Sequence, residues 1–466
     1  MTGIVWTQPF RTLATAALAV VLVSPGATKA QNLADALVGA YNTSDLMEQN
    51  RALLRAADED VAIALSALRP ILNWTGSVGR QYTNSITGSS NPVNLGLTAS
   101  LLIYDGGASR LGIARTKETV LATRQALISV EQSILLRAVS AYFGVIEATE
   151  TVDLRQNNVR VLAEELRAAE DRFEVGEVTR TDVAQAESRL AEARSLLATA
   201  QGDFVAAQEE YLSAVGSRPG QLTSPPSLPK PPASIDSAKA IAVRNHPDVR
   251  QAQHQVAAND IAVEEARSGW LPTVDLSASA SWSEDLADDD PEGRSAAISL
   301  NYTQPIYQGG RIAATVRRAM ATRNSARANL LTVTEDIEQQ AANALIVLRS
   351  AEASLAATMT RIEAARVAFE GVREEATLGA RTTLDVLDAE QELLDAQAAR
   401  ISAEADRAIA AYVLVSAQGL LTAENLRLAV TLYDPTAYYN SVKNAPAYYS
   451  QQGRDLDRVL RAIGKD

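Results

Sequence analysis

Arg172-Phe173-Glu174-Val175-Gly176-Glu177-Val178-Thr179-Arg180-Thr181-Asp182-Val183 is answered further along the chain by Glu375-Ala376-Thr377-Leu378-Gly379-Ala380-Arg381-Thr382-Thr383-Leu384-Asp385-Val386. Gly176 aligns with Gly379 and Asp182 with Asp385, both at a spacing of about 203 residues (379 − 176 and 385 − 182), the fixed period of an internal duplication. Each copy lies between long alanine-rich segments. A glycine that closes one helix, followed by Thr-x-x-Asp opening the next, is a left-handed C-cap and then a capping box. Each copy therefore reads as the tip of a helical hairpin, with Gly176 and Gly379 at the turns.

The segments flanking the tips are long. From Ala108 to about Phe173, and again from Arg311 to about Thr377, the apolar spacing is helical and no proline interrupts it. At 1.5 Å per residue each such helix spans roughly 100 Å, longer than a compact domain needs, and reads as coiled coil. A shorter helix runs from Asp182 to Val215 after the first tip. Two helices of about 35 residues laid end to end match one of about 66, so each repeat can pair one continuous helix with two stacked short ones.

Before each long helix the period changes from 3.6 to 2. A helical stretch from Asn32 to Leu68 stops at Pro70; then Leu72, Trp74, Val78 and Tyr82 share one parity, with Asn73, Thr75, Ser77 and Gln81 on the other. Across a polar turn region (Asn84 to Pro92), Val93, Leu95, Leu97, Ala99, Leu101 and Ile103 alternate with Asn94, Thr98 and Ser100. This is a hairpin of strands with one apolar face. Tyr104-Asp105-Gly106-Gly107 ends it.

The second half repeats the plan. A helix from Ile235 to Trp270 stops at Pro272; Val274, Leu276, Ala278, Ala280 and Trp282 alternate with aspartate and serines; after an acidic turn (Asp288 to Asp290), Ile298, Leu300 and Tyr302 alternate with Ser299, Asn301 and Thr303; and Tyr307-Gln308-Gly309-Gly310 closes the unit. The chain thus divides into residues 31–218 as a first repeat, 219–234 as a proline-rich linker, 235–420 as a second repeat and 421–466 as an irregular, tyrosine-rich tail.

Four strands of about 10 residues with one apolar and one Ser/Thr/Asn face suit a transmembrane barrel. An ordinary half-buried soluble sheet is the other reading, but no element is left over to cover the apolar face. Bacterial barrels start at eight strands and open edges are not tolerated in lipid, so several chains must share one barrel. Trp74, Leu97, Leu276, Trp282 and Leu300 are expected to face lipid, and Thr98, Ser277 and Asn301 the lumen.

Composition agrees. Of 466 residues, 47% are apolar but only 5% aromatic, which favours close helix packing by small side chains. The net charge of −13, without a basic run carrying aromatics, argues against nucleic acid. Residues 1–30 read as a secretory signal: Arg11, an apolar run from Leu13 to Val23, then Thr28-Lys29-Ala30 before a mature start near Gln31. That run of about 11 residues is too short to span a bilayer. Cysteine is absent, which excludes disulfides and a cysteine-linked lipid.

The signal, the duplicated helix-hairpin-helix plan, Pro70 and Pro272 before the strands, Tyr-x-Gly-Gly after them and Asp385-Val386-Leu387-Asp388-Ala389 at the tip together resemble the TolC family of outer-membrane export ducts, over about residues 32 to 420. The resemblance implies a mainly α fold with a membrane β part. Duplicated coiled-coil hairpins would form a periplasmic tunnel, and two β-hairpins per chain would enter a shared trimeric transmembrane β-barrel. It implies a homotrimer in outer-membrane lipid that docks to a periplasmic adaptor (a membrane fusion protein) and an inner-membrane transporter, for drug efflux or type I protein secretion.

Thr179-x-x-Asp182 and Thr382-x-x-Asp385 have an ordinary reading as capping boxes, because both copies keep them. Charges present in one copy only are more telling: Arg381 aligns with Val178, and Asp388 with Gln185. An i, i+4 pair with Asp385 is the ordinary reading of Arg381. The resemblance implies that Arg381, Thr181 and Asp182 constrain a closed tip while Asp385 and Asp388 form carboxylate rings, whose crowding would raise some carboxylate pKa values. The tyrosine that the family places in this network is Ala376 here.

No catalytic constellation is visible, and no cofactor is called for. His246 and His254 lie near a helix start, where Asn245-His246-Pro247 reads as helix-starting chemistry rather than a metal site, and Asp288 to Asp290 reads as a solvated loop. The expected function is a passive outer-membrane export duct with most of its chain in the periplasm. The competing class is a periplasmic coiled-coil adaptor or scaffold without a pore, which would have no use for two alternating hairpins. An enzyme is a remote third reading.

Overall fold

A computed structural model describes residues 31–82, 89–223, 227–286, 293–447 and 449–462. The signal segment 1–30, Pro225 and Pro226 of the linker, Asp288 to Asp290 and Tyr448 lie outside the described residues. In chain order the elements are α1 (Leu33–Thr43), α2 (Asp45–Ser66), β1 (Ile71–Val78), β2 (Gln81–Tyr82), β3 (Ser89–Ser90), β4 (Pro92–Tyr104), α3 (Ala108–Glu174) and α4 (Arg180–Val215). There follow α5 (Ile235–Asn245), α6 (Pro247–Ser268), β5 (Thr273–Asp285), β6 (Gly293–Thr303), α7 (Arg311–Thr377), α8 (Thr383–Ala417), α9 (Pro435–Val442) and α10 (Gln451–Ala462).

The long helices α3 and α7 have 67 residues each, about 100 Å, and begin where a glycine pair turns the chain out of its strand. Gly106 and Gly107 hold φ of +67° and +88°, and Gly309 and Gly310 hold +58° and +82°. Asp105 secures the first turn by accepting from the backbone N–H of Gly107 (3.0 Å) and Ser109 (2.7 Å). Toward the tips α3 packs on α4 and α7 on α8; toward the sheet α3 packs on α2 and α6, and α7 on α5 and α6. One continuous helix is thus matched by stacked shorter ones in each repeat.

Two corrections concern those shorter helices. The helix expected from Asn32 to Leu68 is broken at Ser44, whose hydroxyl accepts from Met47 N–H at 3.3 Å. The one expected from Ile235 to Trp270 is broken at His246, where Pro247 cannot donate its missing N–H and occupies the first helical position of α6. Both breaks sit where the tip-side helix docks. Gly216, just beyond α4, lies against Thr43, and Gly419, just beyond α8, lies against His246.

The largest core surrounds these joints. Leu33, Leu37, Leu54, Leu135, Val139, Tyr142, Tyr211 and Leu421 pack together, and the few aromatic rings concentrate here. Tyr142 lies 5.6 Å edge-on from Phe143, and its hydroxyl donates to Thr223 O at 2.6 Å. The middle of α3 is apolar enough to cross a membrane, but half of that window is buried in this packing.

The tail, expected to be irregular, forms α9 and α10. α9, with eight residues, is too short to show a period of 3.6 and is started by its own chemistry: Asp434 accepts from Thr436 N–H at 2.8 Å, and Pro435 follows. The tyrosines tie the tail to α1, α2 and α3. Tyr433 N–H donates to the Tyr41 hydroxyl (3.3 Å), Tyr438 donates to Glu59 (2.7 Å), the Arg124 guanidinium lies 5.3 Å from the Tyr439 ring, and Arg69 donates to the carbonyls of Asn444 and Ala445.

The principal sheet is antiparallel in the order β1-β4-β5-β6, which leaves β1 and β6 as open edges. Its register aligns the apolar parities of both repeats. Leu72, Ala99, Ala278 and Ile298 form one row, Trp74, Leu97, Ala280 and Ala296 the next, and Leu101, Leu276 and Leu300 another. Trp282 shares this face opposite Leu95. The other face carries rows such as Ser100, Ser277 and Ser299, and Asn301 donates to the Ser277 hydroxyl at 3.3 Å. Two details depart from the alternation. The first strand stops at Val78, so Tyr82 belongs to the separate β2–β3 ladder, because Gly79 and Arg80 interrupt the pairing. In β4 a bulge at Ile103 separates the Leu102–Asp275 and Tyr104–Val274 pairs.

Candidate functional site

At the far end from the sheet, each hairpin turns through the same construction. Gly176 and Gly379 adopt φ of +79° and +78°. Glu177 N–H reaches back to Arg172 O, and Ala380 N–H to Glu375 O, each at 2.9 Å, so the last carbonyls of α3 and α7 are satisfied. The next helix then opens with a reciprocal cap. Asp182 Oδ2 accepts from Thr179 N–H (2.8 Å), and Asp385 Oδ2 accepts from Thr382 N–H (2.9 Å) and the Thr382 hydroxyl (2.9 Å). Val175 and Leu378 stand exposed at the two turns.

The charges found in one copy only go to specific partners. Arg381 Nε donates to Glu375 Oε2 at 2.8 Å, inside its own hairpin, rather than to Asp385. Asp385 is held below the usual carboxylate range by its backbone and hydroxyl bonds to Thr382. Thr181 is exposed on the first turn of α4. Asp388 reaches the other hairpin: Arg189 of α4 donates to its Oδ1 at 2.8 Å.

That ion pair sits on a small apolar seam. Leu387 of α8 packs with Leu162 of α3 and with Leu190 and Ala193 of α4. One turn further, Glu390 is 8% exposed, and its Oε2 is buried without a hydrogen-bond partner among the described residues. Burial and the neighbouring Glu165 carboxylate on α3 push its pKa up to about 7, against the pull of Arg373 on α7. Near the tip Arg189, Leu387 and Asp388 join the two hairpins within one chain, with Glu390 enclosed beside them; further from it Arg400 of α8 reaches Glu150 of α3 at 3.6 Å.

Sequence reading reached Asp388 through its mismatch with Gln185 but missed Arg189 and Glu390. The signal was present. Val386, Leu387, Glu390 and Leu394 share one buried stripe of α8, so Glu390 is a carboxylate where an apolar side chain is expected. Arg189 aligns with Glu392, a reversal of charge between the copies. Elsewhere, His246 caps α6 by accepting from Asp248 N–H at 3.2 Å, and His254 Nδ1 lies 2.8 Å from Glu118. Among the described residues, no group of three His, Asp or Glu is placed to hold a metal.

This architecture matches known proteins over most of its length. The family model described as outer membrane efflux protein matches residues 39–217 and 240–420. The chain is 36% identical to the outer membrane efflux protein BepC of Brucella suis biovar 1 (strain 1330), over 90% of this chain and 92% of that one. It is 26% identical to the proteases secretion protein PrtF of Dickeya chrysanthemi, over 82% and 86% of the two chains. With the outer membrane protein TolC of Escherichia coli (strain K12) the identity is 24%, over 86% and 84%. Among solved structures, the Campylobacter jejuni CmeC outer membrane channel superposes with a TM-score of 0.73 at 18% identity, covering 89% of this chain and 90% of that one. CusC gives 0.73 at 19% identity, covering 83% and 92%.

Proposed function

The chain belongs to the outer membrane efflux protein family, and on that premise we propose that three copies close one barrel in the outer membrane and continue it as a single helical duct through the periplasm. The protein is an outer-membrane export channel. The observation that carries the trimer is the sheet: four strands, aligned apolar rows on one face and two open edges. An uncovered apolar face is stable in lipid and not in water, an open edge is not stable in lipid, and four strands fall short of the smallest bacterial barrel, about eight. Pairing β1 of one copy with β6 of the next removes both edges at once.

In this reading the helical hairpins of the three copies converge at the tip. Asp385 and Asp388, three residues apart on α8, form two tiers of carboxylates around the axis. Arg381, Thr181 and Asp182 restrain the tip against neighbouring chains. Val175 and Leu378, 72% and 80% exposed, offer an apolar landing for a periplasmic adaptor that brings the inner-membrane transporter. The relatives span efflux and protease secretion, so the cargo is chosen by those partners rather than by the duct.

The experiment is fractionation followed by electrophoresis with and without heating. A duct of this kind gives an outer-membrane band at trimer size that collapses to monomer on boiling. A periplasmic, monomeric product would favour the poreless adaptor reading instead.

A further inference from the structure

We propose that a basic collar on the first turns of α3 and α7, just beyond the strand exits, binds the anionic phospholipid headgroups of the membrane leaflet that faces the periplasm. The proposal rests on the barrel reading above and adds to it the lipid class that the barrel's inner rim takes. One end of the sheet is marked as an interface by its aromatic side chains: Tyr104, Trp270, Tyr302 and Tyr307 stand exposed there, where the strands join the helices. Rings with an apolar body and a polar tip settle at the headgroup level of a bilayer.

Directly beyond this girdle the charge balance of the chain reverses. The whole chain carries a net −13, yet residues 108–127 hold Arg110, Arg115, Lys117 and Arg124 against Glu118 alone. Residues 311–334 hold Arg311, Arg317, Arg318, Arg323 and Arg327 with no acid. At the opposite end of the sheet Glu284 and Asp285 offset Arg80 and Arg294, so the basic excess belongs to one side of the membrane.

Depth decides which of these charges are available. At 1.5 Å per residue, Arg110 lies about 3 Å along α3 and Lys117 about 14 Å, while Arg317 and Arg318 lie about 10 Å along α7. These four are exposed and have no carboxylate partner among the described residues, whereas Arg115 beside them is taken by Glu265 at 2.8 Å. Further down the charges are neutralised: Arg323 and Arg327 share Asp260 at 3.9 and 2.8 Å, and Arg124 faces Asp58 at 3.8 Å. An anionic surface acts over a Debye length, about 8–10 Å, so the unpaired cations are those nearest its reach. They are spread over two helix starts instead of converging on one point, which suits a layer of headgroups rather than a single bound phosphate.

The test is the lipid retained by the detergent-solubilised full-length trimer after equilibration with mixed phosphatidylglycerol and phosphatidylcholine, separation from free lipid and quantification by mass spectrometry. Each basic residue at an anionic surface contributes roughly a five-fold factor, so the wild type should prefer phosphatidylglycerol by about ten-fold or more, and high salt should erase most of that preference. Glutamine at Arg110, Lys117, Arg317 and Arg318 together should abolish it; exchanging lysine and arginine at the same four positions should keep it, as should Arg323→Gln with Arg327→Gln. Equal retention of both lipids by the wild type, a preference indifferent to salt, or a quadruple glutamine variant that keeps the preference would overturn the collar and leave the duct standing. A quadruple variant that keeps its lipid but conducts with raised cation selectivity would also overturn it, by placing these side chains in the lumen. If that variant does not trimerise, the salt response of the wild type decides. A wild type that is not a membrane trimer would remove the duct itself, and the collar with it.

Discussion

The Thr43 hydroxyl donates to the Val215 carbonyl at 3.0 Å, fastening the end of α4 to the break between α1 and α2. The second repeat builds the matching joint from Gly419 and His246. At both joints the glycine is left-handed, with φ of +82° at Gly216 and +73° at Gly419. A Cβ on Gly216 would lie 2.4 Å from Thr43 Oγ1, and one on Gly419 would lie 2.6 Å from His246 Cα.

Alanine at either joint therefore combines a disfavoured φ with a collision, and should cost about 2–4 kcal/mol. At Gly176 and Gly379 nothing lies within 4 Å of the added carbon, so only the φ term of about 1–2 kcal/mol applies. Thermal unfolding followed by circular dichroism should rank Gly216→Ala and Gly419→Ala below Gly176→Ala and Gly379→Ala. Equal losses at all four would mean that the joints are not tightly packed.

Glu390 gives the tip a pH dependence of definite sign. Its folded pKa, about 7, lies above the ordinary glutamate value of 4.5, so the seam is most stable below that ordinary value and loses stability as pH rises through 7. Ionised Glu390 faces Glu165 on α3, with Arg373 on α7 as the opposing charge. Conductance should rise between about pH 5 and pH 8, and Glu390→Gln should flatten the profile at the low-conductance end. A titration that stays intact in Glu390→Gln would move its origin elsewhere.

The barrel register is testable without background, because the chain has no cysteine. Single cysteines at Thr98, Ser277 and Asn301 should react with a membrane-impermeant thiol reagent, and those at Leu97, Leu276 and Leu300 should be protected. Equal labelling of the two sets would place the sheet in water, as a soluble scaffold requires.

The carboxylate tiers and the arginine restraint should separate in bilayer recordings. Asp385→Asn with Asp388→Asn should weaken cation selectivity and relieve block by multivalent cations from the periplasmic side. Arg381→Ala should raise conductance with selectivity largely kept. Unaltered block in the double asparagine variant would leave Asp385 as a helix cap only.

Most of the fold was legible because its signals are periodic. Alternation placed the strand faces, and the register then put Trp74, Leu97, Leu276, Trp282 and Leu300 on one face. The fixed repeat spacing placed both tips. The breaks at Ser44 and His246 were passed over because the apolar spacing continues across them, although Asn245-His246-Pro247 carries a helix start in its sequence and Ser44 is a cap residue; the docking of Gly216 and Gly419 shows what the breaks accommodate. At the tip, the mismatch with Gln185 singled out Asp388, and the family resemblance named Asp385 beside it. The partner of Asp388 lies 199 residues away on α4, a distance that no local pattern spans. Glu390 was passed over because a charged side chain on a helix is ordinarily solvated.

The most direct test of the account is conductance by the wild-type trimer in a planar bilayer. An export duct closed at its periplasmic tip predicts a stable, low, cation-selective conductance that increases when Arg381 is replaced by alanine. A folded, outer-membrane trimer that passes no current in either form would contradict it.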